Sequence, residues 1–427
     1  MDFVEELRWR GMLHDITPGT EELLKKEKVK GYIGFDPTAI SLHVGSLAQI
    51  MTLLHFQRAG HIPLVLVGGA TGMVGDPSGK SKERNLLSED VLNENLKSIQ
   101  NQLERFLEFE KGINKAEIVN NYDWFKKLNF LNFIRDVGKH ITINYMMAKD
   151  SVKNRMDGET GMSFTEFSYQ LIQGFDFYYL WKEKNCVLQM GGSDQWGNIL
   201  TGTELIRRKA GGDAFALTTQ LIKKSDGTKF GKSEGGNIWL DATLTSPFKF
   251  YQFWLNTSDE DAEIFIKIFT LLNQGDVEKI ISEHKTAPHL RNLQKVLAED
   301  VTERVHGKIA LETANSTTDF LFANGSLEFL KGKSNEFILE VFEGIPQFEI
   351  DRELFNSSIS IQDLLANHTS IFPSKGETKK MIAGGGVLLN REKISNSEIN
   401  IGKELLLNDT YLIVQKGKKN YFLIKVI

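Results

Sequence analysis

Between Lys30 and about Leu221, short apolar runs alternate with longer stretches whose apolar residues recur at helical spacing. That alternation predicts a parallel sheet with crossover helices. Tyr32-Ile33-Gly34-Phe35 reads as the first strand, and from His43 onward Val44, Leu47, Ile50, Met51 and Leu54 share one face of the helix that follows. Pro63 to Val67 gives a second strand, and Val187 to Met190 another, ending in Gly191-Gly192. Val91 to Glu110 reads as a helix capped by Ser88, with Glu89 and Asp90 at its positive end. Beyond Asp241 the pattern becomes helix after helix: Phe248 to Asn256, Asp259 to Asn273, Val277 to His284 and Leu290 to Leu311. Asn315 to Ser326, rich in Asn, Ser, Thr and Gly, reads as a linker. A last unit places Leu364-Leu365 and Lys379 to Ile382 on helices, with strand-like runs Val387 to Leu389, Tyr411 to Val414 and Tyr421 to Ile424.

A chain of 427 residues exceeds the size of a single growing core, which favours two or three domains. The lone Cys186 excludes an internal disulfide and a Cys-based zinc cluster. It suits a reducing compartment, and no structural metal is expected. The N-terminus mixes acids into its apolar residues, unlike a signal peptide, and no apolar run spans a bilayer, so the expected location is cytoplasmic with no membrane partner. The net charge of −5 hides a local excess: residues 358–427 carry ten Lys/Arg against six Asp/Glu.

Two distant loops stand out as two sides of one nucleotide-triphosphate site. In Asp36 to Ser46, Gly34 and Asp36 lie at a strand end, Thr38 and His43 can donate to phosphate oxygens, and Gly45 leaves room for a flat nucleobase. Alone, this reads equally as a Pro-containing turn into an amphipathic helix. Lys223 to Gly236, with Lys229-Phe230-Gly231-Lys232-Ser233 at its centre, is basic, glycine-rich and expected to be mobile. By itself it reads as a solvated hairpin tip. The stretch Gly75 to Ser81 mimics a P-loop, but Val74 stands where the first glycine is required, and Gly68 to Gly72 fails the dinucleotide spacing.

Tyr169, Gln173 and Asp176 fall at i, i+4 and i+7, so a helix presents a phenol, an amide and a carboxylate on one face. Such a face suits a small polar ligand, or is simply a half-exposed helix surface. Gly191 to Asn198 adds polar groups after a buried strand, with Asp194 placed to reach a ribose and Gln195 a carboxylate.

Tyr32 to Thr38, Gly68 to Gly72 with Gly75 to Gly79, Tyr169 to Asp176, Gly191 to Asn198 and Lys229 to Ser233 together resemble the bacterial-type tyrosyl-tRNA synthetases, which are class I aminoacyl-tRNA synthetases. His43-Val44-Gly45-Ser46 matches the family's His-Ile-Gly-His motif, with Ser46 in place of the second histidine. Lys229 to Ser233 matches Lys-Met-Ser-Lys-Ser, with Phe230-Gly231 in place of Met-Ser. The resemblance implies an α/β chain: a Rossmann-like parallel-sheet catalytic domain over 1–240, an all-helical anticodon-region domain over 241–320, a connecting region over 321–357, and a small α+β RNA-binding domain of the S-four type over 358–427.

The resemblance further implies that Tyr32 and Asp176 bind a substrate phenol, while Tyr169, Gln173 and Asp76 hold its α-ammonium and Gln195 its carboxylate side. Gly192 and Asp194 would meet the ribose. Gly34, Asp36, Gly45, Ser46 and Ser233 would complete the ATP site, with Thr38, His43, Lys229 and Lys232 stabilising the breaking triphosphate. Lys80 and Arg84 would contact the tRNA acceptor end, and Lys375, Lys379, Lys380, Arg391 and Lys418 its backbone. The expected activity is ligation of L-tyrosine to tRNA(Tyr), with ATP consumed as substrate and Mg²⁺ accompanying it, in a homodimer. The rivals are a tryptophan-activating relative, which typically lacks the phenol-binding pair and the C-terminal module, and a non-catalytic RNA-binding scaffold. His43 and Lys232 argue against the scaffold.

Overall fold

In a computed structural model, described for residues 1–76, 88–156, 161–228, 230–233, 236–322, 330, 332–343, 345–417 and 420–427, the chain divides into two compact units, Met1–Lys308 and Ile309–Ile427. The first is built on a six-stranded sheet: β1 (Leu13–Ile16), β2 (Lys30–Phe35), β3 (Ile62–Val67), β4 (Glu117–Asn120), β5 (Cys186–Gly192) and β6 (Phe215–Thr219). Their spatial order is β1-β6-β5-β2-β3-β4. All neighbours are parallel except the edge pair β1–β6.

The order explains where a ligand can sit. From β2 the chain winds outward through β3 and β4, then returns to lay β5 against the other side of β2, with Tyr32 beside Gln189. The strand order therefore reverses between β2 and β5, and the crevice beyond their carboxyl ends is the switch point of the sheet. The helix Val44–Arg58 that leaves β2 buries Leu47, Ile50 and Met51 completely. The long helix Phe164–Lys184 starts with a capping box between Ser163 and Glu166 and ends on Asn185 in the left-handed region.

The rest of the first unit is helical: Pro247–Leu255, Asp259–Phe269, Gln274–Thr286 and Asn292–His306. The expected continuous helix from Leu290 to Leu311 is instead broken twice. Arg291 has φ +53° while its guanidinium donates to the carbonyls of Leu255 and Thr257, and Gly307, at φ +85°, ends the next helix. One long-range tie crosses the unit. Arg10, at the end of the helix Phe3–Trp9, is 1% exposed, pairs with Glu6 at 2.8 Å, and donates to the carbonyls of Lys267, Thr270 and Leu272. Those carbonyls lie at the open end of the helix Asp259–Phe269, where helical partners run out.

The linker expected from Asn315 to Ser326 is contradicted over its described part, because Lys308–Phe322 is one helix. Its threonines satisfy themselves along the helix: Thr317 donates to the Thr313 carbonyl and Thr318 to that of Ala314. Ala314, Thr317 and Phe320 are buried, so a polar composition conceals an apolar face. In the second unit, a five-stranded sheet has Tyr411–Lys416 and Asn420–Val426 at its centre, flanked by Val387–Leu389 and by Gln347–Ile350, which pairs in parallel. Its core joins Leu364, Leu365 and Phe372 to Leu412, Val414 and Ile424. Among the described residues, no helix is long and apolar enough to cross a membrane.

Candidate active site

A cavity of about 670 Å³ opens beyond the carboxyl ends of β2 and β5. It is lined by Tyr32, Gly34, Asp36, Thr38, His43, Gly45, Ser46, Asp76, Tyr169, Gln173, Asp176, Gly192, Asp194 and Gln195, fourteen residues singled out from sequence and spread over some 160 positions. Lys80, Arg84, Lys229 and Lys418 lie outside the described residues. Lys232 and Ser233 form a two-residue strand paired with Gly236–Asn237.

At the buried end of the cavity, Asp176 is 1% exposed, and its carboxylate accepts from Asn121 Nδ2 at 3.0 Å and from Trp124 Nε1 at 2.8 Å. Burial nevertheless pushes its pKa up to about 8, the two donors offsetting only part of the lost hydration. Tyr32, also 1% exposed, has its hydroxyl buried without a hydrogen-bond partner, and burial raises the phenol well above its ordinary range. An orphaned hydroxyl in the same cavity as a half-satisfied acid is costly unless a ligand supplies what is missing.

Asp36 organises the neighbouring wall. It accepts from the Tyr169 hydroxyl at 3.0 Å and from Thr71 Oγ1 at 2.7 Å. Thr71 in turn accepts from Asn121 Nδ2 at 3.1 Å. A Cβ on Gly68 would lie 2.3 Å from both Asp36 Oδ1 and Thr71 Oγ1, so the glycine-rich stretch that fails as a dinucleotide loop serves close packing around this network. Asp76 accepts from Gln195 Nε2 at 2.7 Å. The Gln173 Oε1 atom is buried without a partner, an acceptor suited to an ammonium group.

His43 caps the helix Val44–Arg58, its Nδ1 accepting from the Gly45 backbone N–H at 2.9 Å. The neutral ring therefore carries its proton on Nε2. Gly45 also has a local purpose: a Cβ there would meet the His43 ring at 2.6 Å, so the glycine makes room for the histidine. The two motif loops meet directly. His43 bridges Trp239, Val44 N–H donates to the Ile238 carbonyl, and Ile238 N–H donates to that of Gly231. Phe230, 8% exposed, packs against Phe253, Trp254, Phe265 and Phe269. Within this loop the Phe230 ring is thus held by packing.

Several lining or supporting residues escaped sequence reasoning. Gln189 and Gln49 line the cavity, each with a buried, unpartnered Oε1. Lys223, at the start of the basic loop already singled out, lines it as well. A glutamine inside the buried strand β5 was the available signal for Gln189. Asn121 and Trp124 gave none, since only the fold brings them to Asp176.

Residues 24–323 match the family model of class I tRNA synthetases (W and Y), and residues 338–424 match the tyrosine–tRNA ligase SYY-like C-terminal domain. A tyrosine–tRNA ligase from Cytophaga hutchinsonii is 60% identical over 426 residues, covering 99% of both chains; one from Bacteroides fragilis is 58% identical with the same coverage. The chain belongs to the tyrosine–tRNA ligase family. A C-terminally truncated mitochondrial tyrosyl-tRNA synthetase from Aspergillus nidulans superposes with a TM-score of 0.68 at 34% identity, covering 75% of this chain and 94% of that one. Membership agrees with a Rossmann-like catalytic core, and the C-terminal match is to a domain of tyrosine–tRNA ligases.

In this ligase's second unit, the lysines and arginine expected at tRNA are mostly engaged. Lys375 pairs with Asp363 and Lys379 lies 3.8 Å from Glu398. The Arg391 guanidinium donates to the Tyr421 hydroxyl at 2.6 Å and lies over the Phe320 ring at 4.9 Å. That geometry ties the sheet to the helix Lys308–Phe322. Lys380 is exposed.

Proposed function

We propose that the chain joins L-tyrosine to tRNA(Tyr) in two steps at the β2–β5 crevice, and that the observation carrying this reading is the Tyr32–Asp176 end of the cavity. A buried hydroxyl without a partner and a buried carboxylate with capacity to accept are the two groups needed around a phenol: Tyr32 donates to its oxygen and Asp176 takes its proton in a hydrogen bond. Gln173, Tyr169 and Asp76 receive the α-ammonium, and Gln195 steadies the carboxylate side. The substrate carboxylate is ionised at neutral pH, so its attack on the α-phosphorus of Mg²⁺·ATP needs no general base.

Catalysis then consists of placing the reactants and stabilising the departing pyrophosphate, which His43 Nε2–H, Thr38, Lys229 and Lys232 supply. Gly34, Asp36, Gly45, Ser46, Gly192, Asp194 and Ser233 form the nucleotide's surroundings. Mg²⁺ enters on the ATP phosphates; among the described residues there is no cluster of three or more His, Cys, Asp or Glu able to hold a metal. A hydroxyl of the terminal tRNA adenosine next attacks the mixed anhydride, and AMP leaves. These substrates suit a cytoplasmic location.

Lys80 and Arg84 serve the acceptor end, and the C-terminal unit, with Lys375, Lys379, Lys380, Arg391 and Lys418, serves the RNA backbone. A homodimer is supported by exposed apolar side chains in the segment flanking the start of the Phe164–Lys184 helix: Phe130, Leu131, Ile134, Ile143, Met147 and Phe164, with Phe164 69% exposed. Tyrosine-dependent exchange of pyrophosphate into ATP tests the enzymatic reading; no exchange with any amino acid would refute it. Removing residues 358–427 should abolish tRNA charging and spare that exchange.

A further inference from the structure

We propose that Phe230 is the positioning residue of the ATP-side loop, its ring fixing the backbone between Lys229 and Lys232 against the His43 turn. The inference rests on the reading of that loop as the triphosphate contact. From Lys223 to Gly236 the loop is basic, polar and glycine-rich, and Phe230 is its single large apolar side chain. That side chain is 8% exposed. It stacks on Phe269 with ring centroids 5.3 Å apart and 16° between planes, and meets Phe265 at 4.8 Å and Trp254 at 5.8 Å. The cage belongs to the helices Pro247–Leu255 and Asp259–Phe269.

The next residue transmits the anchor to the other motif. Gly231 has φ +84°, and a Cβ on it would stand 2.9 Å from Val44 Cγ2. Its carbonyl accepts from Ile238 N–H at 3.0 Å, whose own carbonyl accepts from Val44 N–H at 2.9 Å, beside the His43–Trp239 bridge. At the loop's other end, Ser225 N–H donates to Asp261 Oδ1 at 2.8 Å, on the same Asp259–Phe269 helix. The Phe-Gly pair that replaces Met-Ser is therefore a matched device: the ring enters the cage, and the glycine turns the backbone toward Val44 without a Cβ in the way. The two lysines sit one residue before and two after the anchor. Losing the ring keeps both charges but frees the backbone at Gly231, which affects the ATP step and spares tyrosine binding.

The test uses the full-length chain with Phe230→Ala, Phe230→Met and Phe269→Leu. Single-turnover tyrosyl-adenylate formation, equilibrium tyrosine binding and amide exchange at Ile238 are measured for each. Phe230→Ala should slow adenylate formation on the order of 10- to 100-fold, leave the tyrosine Kd within about twofold, and speed exchange at Ile238. Phe230→Met should restore most of the rate, and Phe269→Leu should lower it with the same sparing of tyrosine. A Phe230→Ala rate near wild type, a matching loss of tyrosine affinity, or methionine performing no better than alanine would overturn the proposal. Should the alanine variant not fold, an unchanged rate in Phe269→Leu overturns it. Absence of exchange in the wild type would refute the enzymatic reading instead, while faster Ile238 exchange in the variants would still report the anchor.

Discussion

Asp176 and Asp36, two carboxylates of one cavity, are joined through a pair of side chains: Asn121 donates to Asp176 and to Thr71, and Thr71 donates to Asp36. Each proton in this path has one direction, because Asn121 Oδ1 is already taken by the Ala70 backbone N–H at 2.6 Å. The amide thus presents both its hydrogens to the network.

Replacing Asn121 with Ala removes one of the two donors that hold the Asp176 pKa down. The acid should then titrate above its present value of about 8, and tyrosine affinity near neutral pH should fall roughly tenfold. Binding isotherms over a pH series check this; an affinity profile that does not move to higher pH contradicts it.

The wild-type carboxyl already makes binding pH-dependent. Its folded pKa, about 8, lies above the ordinary 3.8, so the unliganded fold keeps a proton that the unfolded chain has lost, and this group's contribution to stability declines as pH rises between those values. Accepting from the substrate phenol favours its ionised form, which makes the stronger bond. Tyrosine binding near pH 7 should therefore release a proton, with affinity rising toward about pH 8. Calorimetry in two buffers of different ionisation enthalpy measures the release, and finding none would refute the role given to Asp176.

Tyr32→Phe should separate stability from function. Deleting a buried hydroxyl with no partner should raise stability by about 1 kcal/mol in the unliganded protein, while tyrosine affinity falls roughly tenfold and phenylalanine is rejected less well. Thermal unfolding without ligand, paired with exchange assays on both amino acids, tests the two halves independently.

Gly45→Ala should act through its neighbour. The added methyl would displace the His43 ring that now lies 2.6 Å from that position, lowering adenylate formation on the order of 10- to 100-fold with tyrosine binding retained. A crystal structure showing His43 unmoved, or an unchanged rate, would contradict this account.

What the sequence disclosed follows from the range of the interactions involved. Tyr169, Gln173 and Asp176 were legible because helical periodicity is local and the helix Phe164–Lys184 is long. Thr38, His43 and Ser46 were legible because strand, turn and cap occupy one short stretch. Asn121 and Trp124 were not, since they follow β4 and reach Asp176 only through strand order. The helix through Thr317 and Thr318 was misread because hydroxyls that bond back along a helix look, in composition, like a linker. The packing of Phe230 was not legible because its cage lies in other helices, beyond the reach of local pattern.

Arg10 carries a consequence for the birth of the protein. Its acceptors, the carbonyls of Lys267, Thr270 and Leu272, lie 257 to 262 positions later in the chain, on the order of ten to fifty seconds of translation at ordinary rates. The helix Phe3–Trp9 must wait, the Arg10 guanidinium beside it hydrated, until residues 259–272 have emerged and turned back to it. The N-terminal segment is thus synthesised early and fastened late, so a nascent chain stopped before Leu272 should leave Phe3–Trp9 open to protease while a longer one protects it.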